Sequence, residues 1–197
     1  MRLLPAIGVW GLVTGSFAPF ANIYLSSHLH LPLSRTGNFF SASQLAQVIA
    51  VLLAPAVFRR IGVVPGICLS QVGTSLLFIL LAVADRTPAA GFVYVGLTAL
   101  QWMNEPGLYT LLMGLVSERE RAGASASMSL VLSCSQLLAA LAAGWAFERF
   151  SYVPVFTVIA VLGVLAATLV RAIPRGNLRS AERLVAERHG EPILSDG

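Results

Sequence analysis

The chain alternates long apolar runs with short polar connections. As a helix, each run has the length needed to cross a hydrocarbon core of about 30 Å. A helix satisfies its own backbone hydrogen bonds, which a segment in lipid requires. We therefore predict an all-α membrane protein with six transmembrane helices. The six runs are Leu3–Leu25, Phe39–Phe58, Pro65–Ala84, Gly91–Val116, Ala122–Phe147 and Val153–Val170.

The composition agrees with this pattern. Of the 197 residues, 56% are hydrophobic and 11% are charged, about half the charged fraction of an ordinary soluble domain. The first run is too long, and too clearly followed by five others, to be a cleaved signal peptide. We predict a six-helix bundle over residues 1–173 and a polar cytoplasmic tail over residues 174–197.

The basic residues predict an orientation. All 13 are arginines, and with the N-terminus inside, ten lie in inner segments and three in outer loops. The outer ones are Arg35, Arg86 and Arg149. Cytoplasmic loops carry such an excess of positive charge, so we expect both termini in the cytoplasm and the protein in the cell's inner (plasma) membrane. The net charge of +4 then reflects topology and attraction to anionic lipid, with no nucleic-acid partner.

One stretch, Ala99–Met113, has the composition of a site. It contains Glu105, the only formally charged side chain inside any of the six runs, and a carboxylate there needs protonation, a partner or a wet cavity. Gln101 and Asn104 share its helical face by spacing, and Tyr109 lies one turn further on. Pro106 frees a backbone carbonyl one turn back. Binding of a solute or proton and plain interhelical hydrogen bonding both remain open.

Other polar and small residues are weaker candidates. Gly11 and Gly15 allow another helix to approach closely. A stripe of serines on the fifth run favours close contact or sliding between helices. The secondary candidates for a cavity lining are Asn22, Gln44, Gln47 and Gln136.

Cysteines and histidines give no sign of a metal site or a soluble cofactor. Cys68 and Cys134 lie within apolar runs without metal-ligand spacing, so we interpret them as packing residues without a disulfide. His28 and His30 lack further ligands nearby, and we expect them in a solvated outer loop.

The order of these features resembles one half, specifically the C-terminal half, of a major facilitator superfamily transporter. Pro55–Gly62 (PAVFRRIG) resembles a degenerate copy of the cytoplasmic G-x-L-x-D-R-x-G loop of that family. Met103–Ala126 resembles the stretch from helix 10 through a loop into helix 11. The loop copy departs from the family pattern, since Arg59 stands in place of Asp and Pro55 in place of Gly.

The resemblance implies a fold and a mechanism. The fold is two inverted three-helix repeats, in which helices 1 and 4 line the path, helices 2 and 5 flank the interface between halves, and helices 3 and 6 lie outside. The chain would move a small solute by alternating access with a second six-helix half, supplied by a separate chain or by a homodimer. Glu105 is the candidate proton or cation carrier, and Gln101, Asn104 and Tyr109 the hydrogen-bonding residues.

The sequence also bears on two other classes of function. An accessory or structural membrane subunit, or a truncated remnant without transport, is the alternative. An intramembrane enzyme is disfavoured, because the nucleophile of a serine protease such as rhomboid needs a histidine from a later helix. The only histidine after Ser125 is His189, in the polar tail.

Overall fold

The computed structural model describes residues 3–84 and 88–173, and these form six long helices with no strand among them. The first helix begins as regular α-helix and ends, after a 3₁₀ turn at Ala18–Phe20, in a π-helical turn at Tyr24–His28. The predicted polar tail lies outside the described residues. The helices are α1 (Leu4–His28), α2 (Leu33–Ile61), α3 (Val63–Val83), α4 (Pro88–Leu115), α5 (Arg121–Arg149) and α6 (Tyr152–Arg171).

Five of these helices are long and apolar enough to cross a membrane, namely α1, α2, α3, α5 and α6. With 28 residues, α4 also has the length, but Gln101, Asn104 and Glu105 interrupt its middle. The assignment of α4 as a sixth membrane span is therefore based on its length and on its packing against α2 and α3.

Helix α1 packs along α5 and against α6, while α3 packs along α6 and against α4. Helix α2 packs mainly along α4. The predicted use of Gly11 and Gly15 is confirmed as packing within the chain. A Cβ atom on Gly11 would lie 2.8 Å from Ser135 Cβ, and one on Gly15 would overlap the backbone of Gln136.

Aromatic rings join α1, α3 and α6. The Phe17 ring lies 5.1 Å from the Phe156 ring and 5.7 Å from the Phe78 ring, both edge to face. The Tyr24 hydroxyl donates a hydrogen bond to the Leu81 carbonyl at 3.0 Å. The expectation for His28 is wrong, because its ring is half-buried and lies 4.4 Å from the Tyr152 ring.

The loop-like motif at Pro55–Gly62 forms the end of α2 and the turn into α3. Gly62 has a φ of 88°, in the left-handed region that favours glycine. Phe58 is buried, and its ring lies where side chains on Gly66 and Gly107 would otherwise stand. Arg59 and Arg60 are exposed.

Burial is uneven among the helices. Only 11% of the most apolar stretch of α2, and likewise of α5, is buried, against 44–50% in α1, α3 and α6. Helices α2 and α5 therefore turn most of their surface away from the bundle. Ser129 and Ser133 are on this exposed surface, so they do not form the contact between α5 and α1.

Candidate functional site

Helix α4 carries the four main candidates without interruption, because Pro106 lies inside it. Proline lacks the N–H that would bond to the carbonyl of Trp102, so this carbonyl has no α-helical partner. The helix continues through the next turn, where the Thr110 hydroxyl donates to the Pro106 carbonyl at 2.8 Å.

The four side chains do not point the same way. Asn104 is fully buried and faces α3, where Ser70 Oγ donates to its Oδ1 at 2.9 Å. Gln101 and Glu105 are half-buried, and Tyr109 is 40% exposed. Ser125 Oγ of α5 lies 3.4 Å from the Tyr109 hydroxyl. Glu105 and Tyr109 thus share an edge of α4 toward α5, whereas Asn104 belongs to the interior.

The secondary candidates are spread over three helices. Gln136 of α5 is half-buried, and its Nε2 donates to Thr14 Oγ1 of α1 at 3.1 Å. Asn22 near the end of α1 is exposed. On α2, Gln44 is exposed and Gln47 is half-buried. Within this group, Gln136 makes the hydrogen bond that joins two helices.

A polar strip follows from these contacts. It begins at Glu105 and Tyr109 on α4 and passes to Ser125 on α5. Ser129, Ser133 and Gln136 lie on the same face of α5 as Ser125 by helical periodicity, and the Gln136–Thr14 bond extends the strip to α1. Such a strip offers one carboxylate and several hydrogen-bonding groups along otherwise apolar helices.

The buried polar residues of α3 were not among the site residues predicted from the sequence. Ser70, Gln71, Thr74 and Ser75 are all at most 3% exposed. The signal was present, since Ser70 and Thr74, and also Gln71 and Ser75, are four residues apart and share a face. Among the described residues, no three metal-ligating side chains are grouped.

Six packed helices, five of them apolar enough to span a bilayer, define a multi-pass membrane protein. The chain belongs to the Major Facilitator Superfamily, whose family description matches residues 3–194. The resemblance inferred from the sequence is thereby confirmed at the level of the superfamily, whose members are transporters rather than enzymes. No curated protein and no solved structure matches the chain.

Proposed function

We propose that the chain is one half, of the C-terminal type, of a secondary transporter that moves a small solute by alternating access. The observation that carries this proposal is the placement of Glu105. It is half-buried in the middle of α4 and begins the polar strip that crosses α5 to α1. Intramembrane carboxylates usually belong to a substrate or ion path. The strip supplies hydrogen-bonding groups for a solute beside it.

The packing pattern supports two inverted three-helix repeats. In such repeats, α1 is equivalent to α4, α2 to α5 and α3 to α6. When each helix is exchanged for its equivalent, the α1–α5 contact becomes the α4–α2 contact. The α3–α4 contact likewise becomes α6–α1, and the α3–α6 contact is unchanged. All five of these contacts are extensive in the structure. Inverted repeats of three helices within a six-helix half predict this exchange.

The exposure of α2 and α5 supports a partner at their surface. These two helices are the least buried, and Ser129, Ser133 and Gln44 are exposed on them. Polar side chains at membrane depth normally face protein or a wet cavity. The two halves of the superfamily are related by an axis along the membrane normal. A second copy of the chain fits this relation, and we propose it ahead of a separately encoded half.

Glu105 has the role of proton or cation carrier in this proposal. Protonation neutralises the carboxylate. Because the charge accounts for most of the free-energy penalty of burial, the neutral side chain can be buried in the closed states. Asn104 has a different part, because its bond to Ser70 of α3 makes it a structural contact inside the half. The termini and the arginine-rich connections are assigned to the cytoplasm, in the inner membrane.

The test uses purified protein in liposomes that contain a pH-sensitive dye. Sugars, amino acids, nucleosides, organic acids and cationic drugs are added in turn, and proton entry is followed. We expect one class to drive proton entry with the native chain and none to do so with Glu105→Gln. Glu148→Gln, at the exposed outer end of α5, is the matched control and should keep the response. Proton entry that survives Glu105→Gln, or that no class elicits, contradicts the proposal.

A further inference from the structure

The cores of α3 and α4 contain matching stripes in which two apolar residues enclose two polar ones. Both stripes follow the spacing of four, three and four residues that places side chains on one helical face. Seven of the eight residues are at most 1% exposed, and Gln101 is half-buried. The stripes are Ile67, Gln71, Thr74 and Phe78 on α3, and Leu97, Gln101, Asn104 and Leu108 on α4.

The register of the two helices brings the polar pairs to the same level. Ser70 and Asn104 are hydrogen-bonded across the interface. On one side of this bond, a Cβ atom on Gly107 would lie 2.8 Å from Ile67 Cγ1. On the other side, beyond Thr74 and Gln101, one on Gly96 would lie 3.6 Å from Leu77 Cδ1. The polar layer is therefore bounded by apolar layers above and below.

Several amide groups in this layer have no hydrogen-bond partner among the described residues. Gln71 is 0% exposed, and both its Nε2 and its Oε1 are unpartnered. Asn104 is also 0% exposed, and its Nδ2 is unpartnered although its Oδ1 accepts from Ser70. The Nε2 atom of Gln101 is also buried and unpartnered. Buried polar groups are nearly always hydrogen-bonded, often through an ordered water.

We propose that the side-chain amides of Gln71, Gln101 and Asn104 form a buried water-binding site between α3 and α4. Three of the four unpartnered atoms are amide nitrogens, which repel a cation. A bare anion would lose its hydration without gaining a countercharge. Water is neutral, accepts from two donors and donates to acceptors such as Gln71 Oε1. The site ties α3 to the helix that carries Glu105, whether or not the chain transports a solute.

The sign of a stability change tests this site. Gln71→Met keeps the length of the side chain but removes its amide. If water binds the amide, we expect the melting temperature of the purified protein in detergent to fall by at least about 2 °C. If the amide has no partner, its replacement should leave the melting temperature unchanged or raise it, which would overturn the proposal. Asn38→Leu also replaces an amide with an apolar group of similar size, at an exposed position near the start of α2; it is the matched control and should shift the melting temperature by less.

A second measurement on the native chain covers the case in which Gln71→Met does not fold. Water-edited solid-state NMR in bilayers reports polarisation transfer from water to individual amides. We expect the side-chain amides of Gln71 and Asn104 to gain polarisation faster than the backbone amides of Ile67 and Phe78, which lie in the apolar layers. Equal or slower transfer overturns the proposal, as does a direct amide-to-amide hydrogen bond between Gln71 and Gln101.

Discussion

At the scale of single residues, glycine sets the distance between α1 and α5. The backbone of Gln136 occupies the space that a Cβ atom on Gly15 would need. Backbone cannot rotate away as a flexible side chain can, so the two helices must separate to admit a methyl group. That separation would also lengthen the hydrogen bond between Gln136 and Thr14.

We therefore expect Gly15→Ala to destabilise the protein by about 1–3 kcal/mol, the range for overpacking. Unfolding in mixed micelles measures this change. Gly123→Ala is the control, because no atom lies within 4 Å of a Cβ atom at that position. Alanine is also more favourable than glycine inside a helix, so this variant should not lose stability. Equal stability of Gly15→Ala and the native chain would show that α1 and α5 do not approach this closely.

Sequence spacing located the candidate residues on α4 but not their directions. Gln101, Asn104 and Glu105 share a broad face by spacing, and the structure divides them between the interior and the edge toward α5. The division depends on which neighbouring helix each side chain packs against. Asn104 faces α3 because it is hydrogen-bonded to Ser70. Such a pairing between distant positions leaves no trace in the periodicity of α4 alone.

At the scale of helices, the apolar runs predicted each of the six long helices. The largest difference is the start of α2, which begins at Leu33 rather than at Phe39. Residues 34–38 are Ser, Arg, Thr, Gly and Asn, so hydropathy does not reveal their helical state. Pro32 precedes the helix and supplies its N-cap position. An apolar run therefore indicates the part of a helix that can lie in lipid, and the helix itself can extend beyond that run.

Helix α2 also provides a test of the orientation. Ser34 and Arg59 are exposed and lie near its opposite ends. The arginine distribution predicts that Ser34 faces outward and Arg59 faces the cytoplasm. In a chain with Cys68→Ala and Cys134→Ala, we expect Ser34→Cys to react with a membrane-impermeant maleimide added to intact cells. Arg59→Cys should react only after the cells are opened.

The opposite labelling pattern would reverse the orientation, and it would place the Arg59 and Arg60 pair outside. Labelling of both positions in intact cells would mean that α2 does not cross the membrane. Either outcome contradicts the assignment of the termini to the cytoplasm.

At the scale of the whole molecule, the bundle buries α1, α3 and α6 and leaves α2 and α5 exposed. Lipid alone does not suit the exposed Ser129 and Ser133 of α5 or the exposed Gln44 of α2. Association through α2 and α5 would cover them and would place Glu105 and the polar strip beside the surface shared by two units. The proposed transport mechanism requires this association, because alternating access needs two halves that move relative to each other.

The measurement that tests this claim most directly is native mass spectrometry of the purified chain in a mild detergent. We predict a species at twice the chain mass of 20.9 kDa. A chain that stays monomeric at every concentration would contradict the pairing of two copies and the transport mechanism built on it.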